Sequence, residues 1–128
     1  IFDIDDIKAE ELLKHISNFN YKTEVKLISS SDVDVFSDKS DLIVNCTPIG
    51  MKDSDPLLVS EDIITSNHWV YDLVYTPPLT KLLFNAKKAG AKVLNGMDML
   101  AYQGAESFSI WESVEPPYEI MKKELSNA

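Results

Sequence analysis

The chain has 128 residues, 45% of them apolar and 26% charged, with a net charge of −9. That length holds one domain with a real core, and the acidic balance argues against nucleic acid or an anionic membrane as partner, since phosphate is bound through clustered Lys and Arg. A single cysteine, Cys46, excludes an intrachain disulfide framework and a multi-cysteine metal centre, and it fits a reducing, cytoplasmic setting.

The first element is Ile1-Phe2-Asp3-Ile4, apolar and strand-like, and it starts with no lead-in and no Met. The chain is therefore expected to begin inside something longer or to have been trimmed. Asp5 or Asp6 can cap the helix that follows, and Glu10 and Glu11 favour its early turns. Ile7, Leu12, Leu13, Ile16 and Phe19 make its apolar stripe, and Asn18-Phe19-Asn20 reads as its end. Val25-Lys26-Leu27-Ile28 reads as a second strand, and Ser31 to Val35 as a short helical turn.

Leu42-Ile43-Val44 is an unbroken apolar run. Its shortness fits a strand covered on both faces, central in a parallel sheet. It stops abruptly at Thr47-Pro48-Ile49-Gly50, where Pro48 cannot donate to a ladder and Gly50 allows backbone angles that other residues avoid. In open α/β sheets ligands sit beyond the carboxyl ends of the strands. The stretch thus reads as a strand delivering a loop to a binding site, and a core strand with an ordinary turn is the competing reading.

The polar loop from Cys46 to Leu58 is long enough to suggest function. Ser60 caps a turn carrying Glu61 and Asp62. Trp69 to Val74 is the next strand, ending in the rigid Tyr75-Thr76-Pro77-Pro78. Thr80 caps a helix whose Leu82, Leu83 and Ala86 face the core. Gly90 stops it, after Lys87 and Lys88 at its negative end.

Lys92-Val93-Leu94 is a short strand, and Asn95-Gly96-Met97 turns the chain. Asp98 can cap the next helix, with Leu100, Ala101, Gly104, Ala105, Phe108 and Trp111 as its buried stripe. Pro116 and Pro117 break it. Tyr118 to Leu125 closes the chain, with Ile120, Met121 and Leu125 on one side. Strands alternating with helices predict a mostly parallel α/β sheet.

Three clusters carry a resemblance. They are Asn45-Cys46-Thr47-Pro48-Ile49-Gly50-Met51, then Asp72-Leu73-Val74-Tyr75-Thr76-Pro77-Pro78-Leu79-Thr80 with Leu82-Leu83, Ala86 and Gly90, then Gly96-Met97-Asp98-Met99-Leu100 with Gln103, Phe108 and Trp111. In this order and spacing they resemble the cofactor-binding domain of the shikimate dehydrogenases and the related quinate/shikimate dehydrogenases, from Ile1 to about Leu125. The resemblance implies a Rossmann-like three-layer sheet and hydride transfer between NAD(P) and shikimate, giving the 3-dehydro ketone. A quinate-preferring relative, or a non-catalytic Rossmann-like binding module, are the alternatives.

The resemblance also implies what is missing. The family's catalytic Lys and Asp belong to a separate N-terminal domain, so no catalytic residue is assigned in this chain. The four glycines, Gly50, Gly90, Gly96 and Gly104, form no G-x-G-x-x-G. Ile1 matches the family's second strand, which puts the first strand and the phosphate loop upstream. Residues 1–128 are thus expected to be a partial NAD(P)-binding domain that needs an N-terminal portion or a second chain, with a homodimer left open.

Residue by residue, Asp3 matches the acid that holds the adenosine ribose hydroxyls and opposes a 2′-phosphate, which favours NAD over NADP. Strand ending or helix capping is the other reading for Asp3 and Asp5. Thr47 matches a cofactor contact made mostly by backbone, or else steadies a turn. Leu73 and Gly96 match positions whose backbone lies by the nicotinamide, a glycine letting the chain approach a flat ring. Otherwise Leu73 is core and Gly96 an ordinary turn residue. Tyr75 and Gln103 match the two groups that reach the substrate through a phenol and an amide. Otherwise Tyr75 packs on a loop and Gln103 is solvated.

Cys46 reads as a small buried residue rather than a nucleophile, and Trp69, Phe108 and Trp111 as core. His15 and His68 read as surface or boundary residues. Asp53, Asp55, Glu61 and Asp62 read as solvated, with no metal-ligand pattern.

Overall fold

The computed structural model describes residues 1–19 and 22–127, so the expected helix end at Asn20 lies outside them. The chain divides into two compact units, Ile1–Lys39 and Ser40–Ala128.

In the first unit, α1 spans Asp6–Ser17, and its N-cap is Asp5, whose carboxylate accepts from the Ile7 and Lys8 amides. Ala9 is buried, whereas Ile7, Leu12 and Phe19 are exposed, so the expected stripe is only partly covered. The two expected strands are absent. Ile1 to Ile4 and Val25 to Ile28 are joined by two backbone bonds, the Ile1 amine donating to the Lys26 carbonyl at 2.7 Å and the Ile28 amide to the Ile1 carbonyl at 3.0 Å, too short a pairing for a ladder. Strand character needs a paired neighbour as well as apolar residues. A 3-10 turn over Ser30–Asp32 leads into α2, Val33–Asp38, which extends the expected helical turn.

The second unit is built on three parallel strands in the order β1 (Leu42–Asn45), β2 (Trp69–Asp72), β3 (Lys92–Asn95). In register, Leu42 faces Trp69 and Trp69 faces Lys92, while Asn45, Asp72 and Asn95 end the three strands side by side. This confirms the expected parallel α/β class.

Strand β1 is not central, however. Among the described residues it pairs only with β2, and Leu42 and Val44 are 55% and 44% exposed. Cys46 follows on that open strand and is exposed, not buried as expected.

The core gathers Val59, Ile64, Val70, Val74, Leu82, Leu83, Ala86, Ala101 and Ala105. Helix α3, Lys81–Lys88, packs on β2 and β3. Thr80 caps it through its hydroxyl, and Gly90 follows it in the left-handed region at φ +81°, both as the sequence predicts.

Helix α4 spans Met97–Glu112 and starts from Gly96 as N-cap, not from Asp98. Asp98 lies within the first turn and pairs with Lys122 at 2.7 Å. The helix ends at Ser113 in the left-handed region, ahead of the two prolines. Helix α5, Tyr118–Asn127, packs on α4, with the Tyr102 and Tyr118 rings stacked at 4.1 Å.

Trp111, 78% exposed, lies off the buried side of α4 that Ala101 and Ala105 define. Trp69, half exposed, opens β2 and carries the Lys92 ammonium 4.3 Å over its ring. These two side chains, expected in the core, are at the surface. His68 shows the reverse. It is buried, and its Nδ1 accepts from the Thr65 amide at 2.9 Å, closing the turn before β2.

Candidate functional site

Parallel strands that end together present three turns at one edge, and here the end of β1 and the loop after β2 are tied to one carboxylate. Asp72 has no exposed surface. Its Oδ1 accepts from Asn45 Nδ2 at 2.9 Å and from the Val74 amide at 3.1 Å. Its Oδ2 accepts from Thr80 Oγ1 at 2.6 Å. Asn45 Nδ2 also donates to the Ile49 carbonyl at 2.9 Å, while its Oδ1 accepts from the Thr47 amide and hydroxyl at 2.9 and 2.7 Å. A buried charge is tolerated only when it is hydrogen-bonded, and three donors meet this one.

Thr47 is half-buried. Its hydroxyl accepts from the Ile49 amide at 3.2 Å, so the side chain works inside the turn and the backbone faces the strand edge. The Leu73 amide donates to the Asn45 carbonyl at 2.9 Å, carrying the β1–β2 pairing one residue further. A methyl on Gly96 would sit 2.0 Å from the Leu73 carbonyl oxygen. Only glycine permits this approach, so Leu73 and Gly96 meet backbone to backbone.

Tyr75 follows two residues after Leu73 and is exposed. Gln103 is exposed on α4, about 10 Å along the helix axis from Gly96 at 1.5 Å per residue. Its carbonyl accepts from Ser107 Oγ at 2.8 Å. Thr47, Leu73 and Gly96 are thus joined through the strand ends, while Tyr75 follows Leu73 in the chain and Gln103 lies on the helix that Gly96 opens. Asp3 belongs to the first unit, where its carboxylate accepts from the Asp5 amide at 2.9 Å.

The loop after β1 is held separately. Asp55 Oδ2 accepts from the Gly50 and Lys52 amides at 2.9 and 3.1 Å. Those backbone N–H groups hold its carboxyl below the ordinary range, the Gly50 bond most strongly. Lys81 donates to the Asp53 and Asp55 carbonyls. A shallow hollow lies between this loop and the start of α3, lined by Gly50, Lys52, Asp53, Pro77, Thr80 and Lys81 among others. None of the expected site residues Asp3, Thr47, Leu73, Tyr75, Gly96 and Gln103 lines it.

The sequence reading missed Asp72 and Asn45 and took Thr80 as a cap alone. A signal existed, since an amide and an acid end two otherwise apolar strand runs.

For a nicotinamide cofactor, the donor set fits at one end only. The strand-end turns offer backbone groups and a glycine-backed approach of chain to chain, while no glycine-rich phosphate cradle is present in the sequence.

Residues 96–125 match the family model described as the shikimate 5′-dehydrogenase C-terminal domain. An NADP(+)-named shikimate dehydrogenase of Methanocaldococcus jannaschii is 44% identical over 124 residues, covering 92% of this chain and 43% of that protein. The chain superposes on the quinate dehydrogenase from Corynebacterium glutamicum in complex with NAD with a TM-score of 0.90 at 28% identity, covering 99% of this chain and 45% of that one. The shikimate 5-dehydrogenase from Listeria monocytogenes in complex with shikimate and NAD gives a TM-score of 0.84 at 34% identity, covering 98% of this chain and 46% of that one. The chain therefore spans less than half the length of the relatives it matches.

Proposed function

We propose, on the premise that this chain matches the C-terminal domain of the shikimate dehydrogenase family, that residues 1–128 are part of an NAD(P)-binding domain. It serves an oxidoreductase moving hydride between a nicotinamide cofactor and shikimate. The observation that carries the reading is the backbone contact between Leu73 and Gly96 at the carboxyl edge of parallel strands. That edge is where open α/β sheets take their ligands.

In this reading the backbone at Thr47, Leu73 and Gly96 borders the nicotinamide end of the cofactor, and Asp3 takes the adenosine ribose hydroxyls. The cofactor, when bound, supplies the hydride acceptor. Tyr75 and Gln103 orient the ring acid by hydrogen bonds to its carboxylate or hydroxyls. The general acid and base come from outside these residues, in an N-terminal portion or a second chain.

Asp3 further favours NAD, because a carboxylate repels a 2′-phosphate, although the curated relatives carry NADP(+) in their names. A quinate-preferring enzyme is the second reading, and the quinate dehydrogenase superposition favours it. Steady-state kinetics of the full-length protein, with shikimate and quinate each against NAD+ and NADP+, test all of these. Activity with neither acid would sink the dehydrogenase reading, and quinate turned over tenfold better would select the second.

A further inference from the structure

Asp72 joins segments that the proposed function uses separately. Its three donors come from the end of β1 (Asn45), from the loop after β2 (Val74) and from the cap of α3 (Thr80). Asn45 passes the connection on to Thr47 and Ile49. Val74 sits between Leu73 and Tyr75. One carboxylate thus stands one hydrogen bond from the loop that carries Leu73 and Tyr75, and two from the turn that carries Thr47.

The chemistry selects a carboxylate here. All three groups that reach it are donors, so the acceptor must offer lone pairs on both oxygens. No lysine is among them, so neutral donors alone compensate the charge. An amide at this place would present its own NH2 toward one donor and leave that donor without its acceptor. Buried groups left unpaired in this way are costly.

We propose that Asp72 is a positioning residue, which fixes the turn Asn45–Gly50 and the segment Leu73–Tyr75 in one register, so that cofactor-facing and substrate-facing groups keep their spacing. What those segments touch rests on the function proposed above. Their mechanical coupling rests on the hydrogen bonds alone.

The test is amide hydrogen exchange by NMR on the full-length protein, with Asp72→Ala, Asn45→Ala and the double variant. Coupling predicts that Asp72→Ala speeds exchange at Thr47 as well as at Val74 by about tenfold, the loss expected for one buried hydrogen bond. Val70 and Leu83 keep their protection. The double variant exchanges at Thr47 no faster than Asn45→Ala alone. Acceleration confined to Val74, or spread evenly over every amide, overturns the proposal.

Should Asp72→Ala fail to fold, Asn45→Ala decides in its place. It must then shift the Leu73 and Val74 resonances, and their constancy overturns the coupling. In a parallel arm, NAD+ and NADP+ are titrated into the unmodified full-length protein. Absence of any nucleotide-dependent shift counts against the cofactor reading and leaves the exchange result to decide the role of Asp72.

Discussion

Gly96 owes its identity to a neighbour rather than to its own backbone angle. Its φ of −74° suits any residue, yet a methyl there would fall 2.0 Å from the Leu73 carbonyl oxygen. Gly96→Ala must therefore push β2 and the start of α4 apart, at about 3 kcal/mol, the upper range for overpacking. Urea denaturation checks this, and an unchanged midpoint would mean that the two backbones separate freely. Tyr75 and Gln103 call for the opposite result. Both are exposed, so Tyr75→Phe and Gln103→Ala should leave stability within about 0.5 kcal/mol. If, as proposed, each supplies a polar group to the substrate, KM for the ring acid should rise roughly tenfold in the full-length protein, as for one lost hydrogen bond of about 1–3 kcal/mol. A wild-type KM in both variants would return these residues to the solvated surface.

At the scale of elements, the loop after β1 is a small pH-sensitive device. Asp55 holds the Gly50 and Lys52 amides, which lowers its carboxyl from the ordinary 3.8. A lowered acid stabilises the fold above its unfolded value, and that contribution fades as pH falls through the lowered one. Loop order should thus persist at pH 5 and loosen below about 3.8, while Asp55→Asn removes this step. The Gly50 amide shift, followed by NMR between pH 6 and roughly 2.5, reads it out, and a flat trace would exclude the carboxylate as the clasp. The same scale shows what the sequence made legible. Helix α3 could be read because its signals are local, a hydroxyl cap at Thr80 and a left-handed stop at Gly90. Ile1–Ile4 and Val25–Ile28 read as full strands, but they share only two backbone bonds, because the length of a ladder depends on partners that no single segment names. Trp111 misled because hydrophobicity was taken for burial, while the small residues Ala101 and Ala105 set the packed face. The candidate site divides in the same way. Its turns were readable from Pro48, Gly50 and Gly96, whereas the Asp72–Asn45–Thr80 network joins residues up to 35 positions apart and needed the fold to appear.

For the whole molecule, the controlling fact is extent. The chain covers 43% of the Methanocaldococcus jannaschii relative and 46% of the Listeria monocytogenes enzyme. Hydride transfer from a secondary alcohol needs a base at the hydroxyl as well as a cofactor, and general acid–base groups contribute about 10²–10⁴-fold. Neither an assigned catalytic pair nor a glycine-rich phosphate loop stands in these 128 residues. Strand β1 also presents an edge that no other described strand covers, and a parallel strand with an open edge and face is poorly stabilised. The purified 128-residue chain should therefore show no shikimate-dependent reduction of NAD+ or NADP+ above the uncatalysed rate, while the full-length protein does. On the proposed reading, in which Asp3 takes the adenosine ribose, NAD+ should bind more tightly than NADP+ in that protein. Asp3→Ser should narrow the gap, because a hydroxyl neither repels the phosphate nor prefers the bare ribose as strongly. Calorimetric titration of both nucleotides into both proteins measures the difference. NADP+ binding tenfold tighter before the substitution would overturn the NAD preference, and turnover by the short chain would show that its own strand-end turns carry more of the chemistry than positioning.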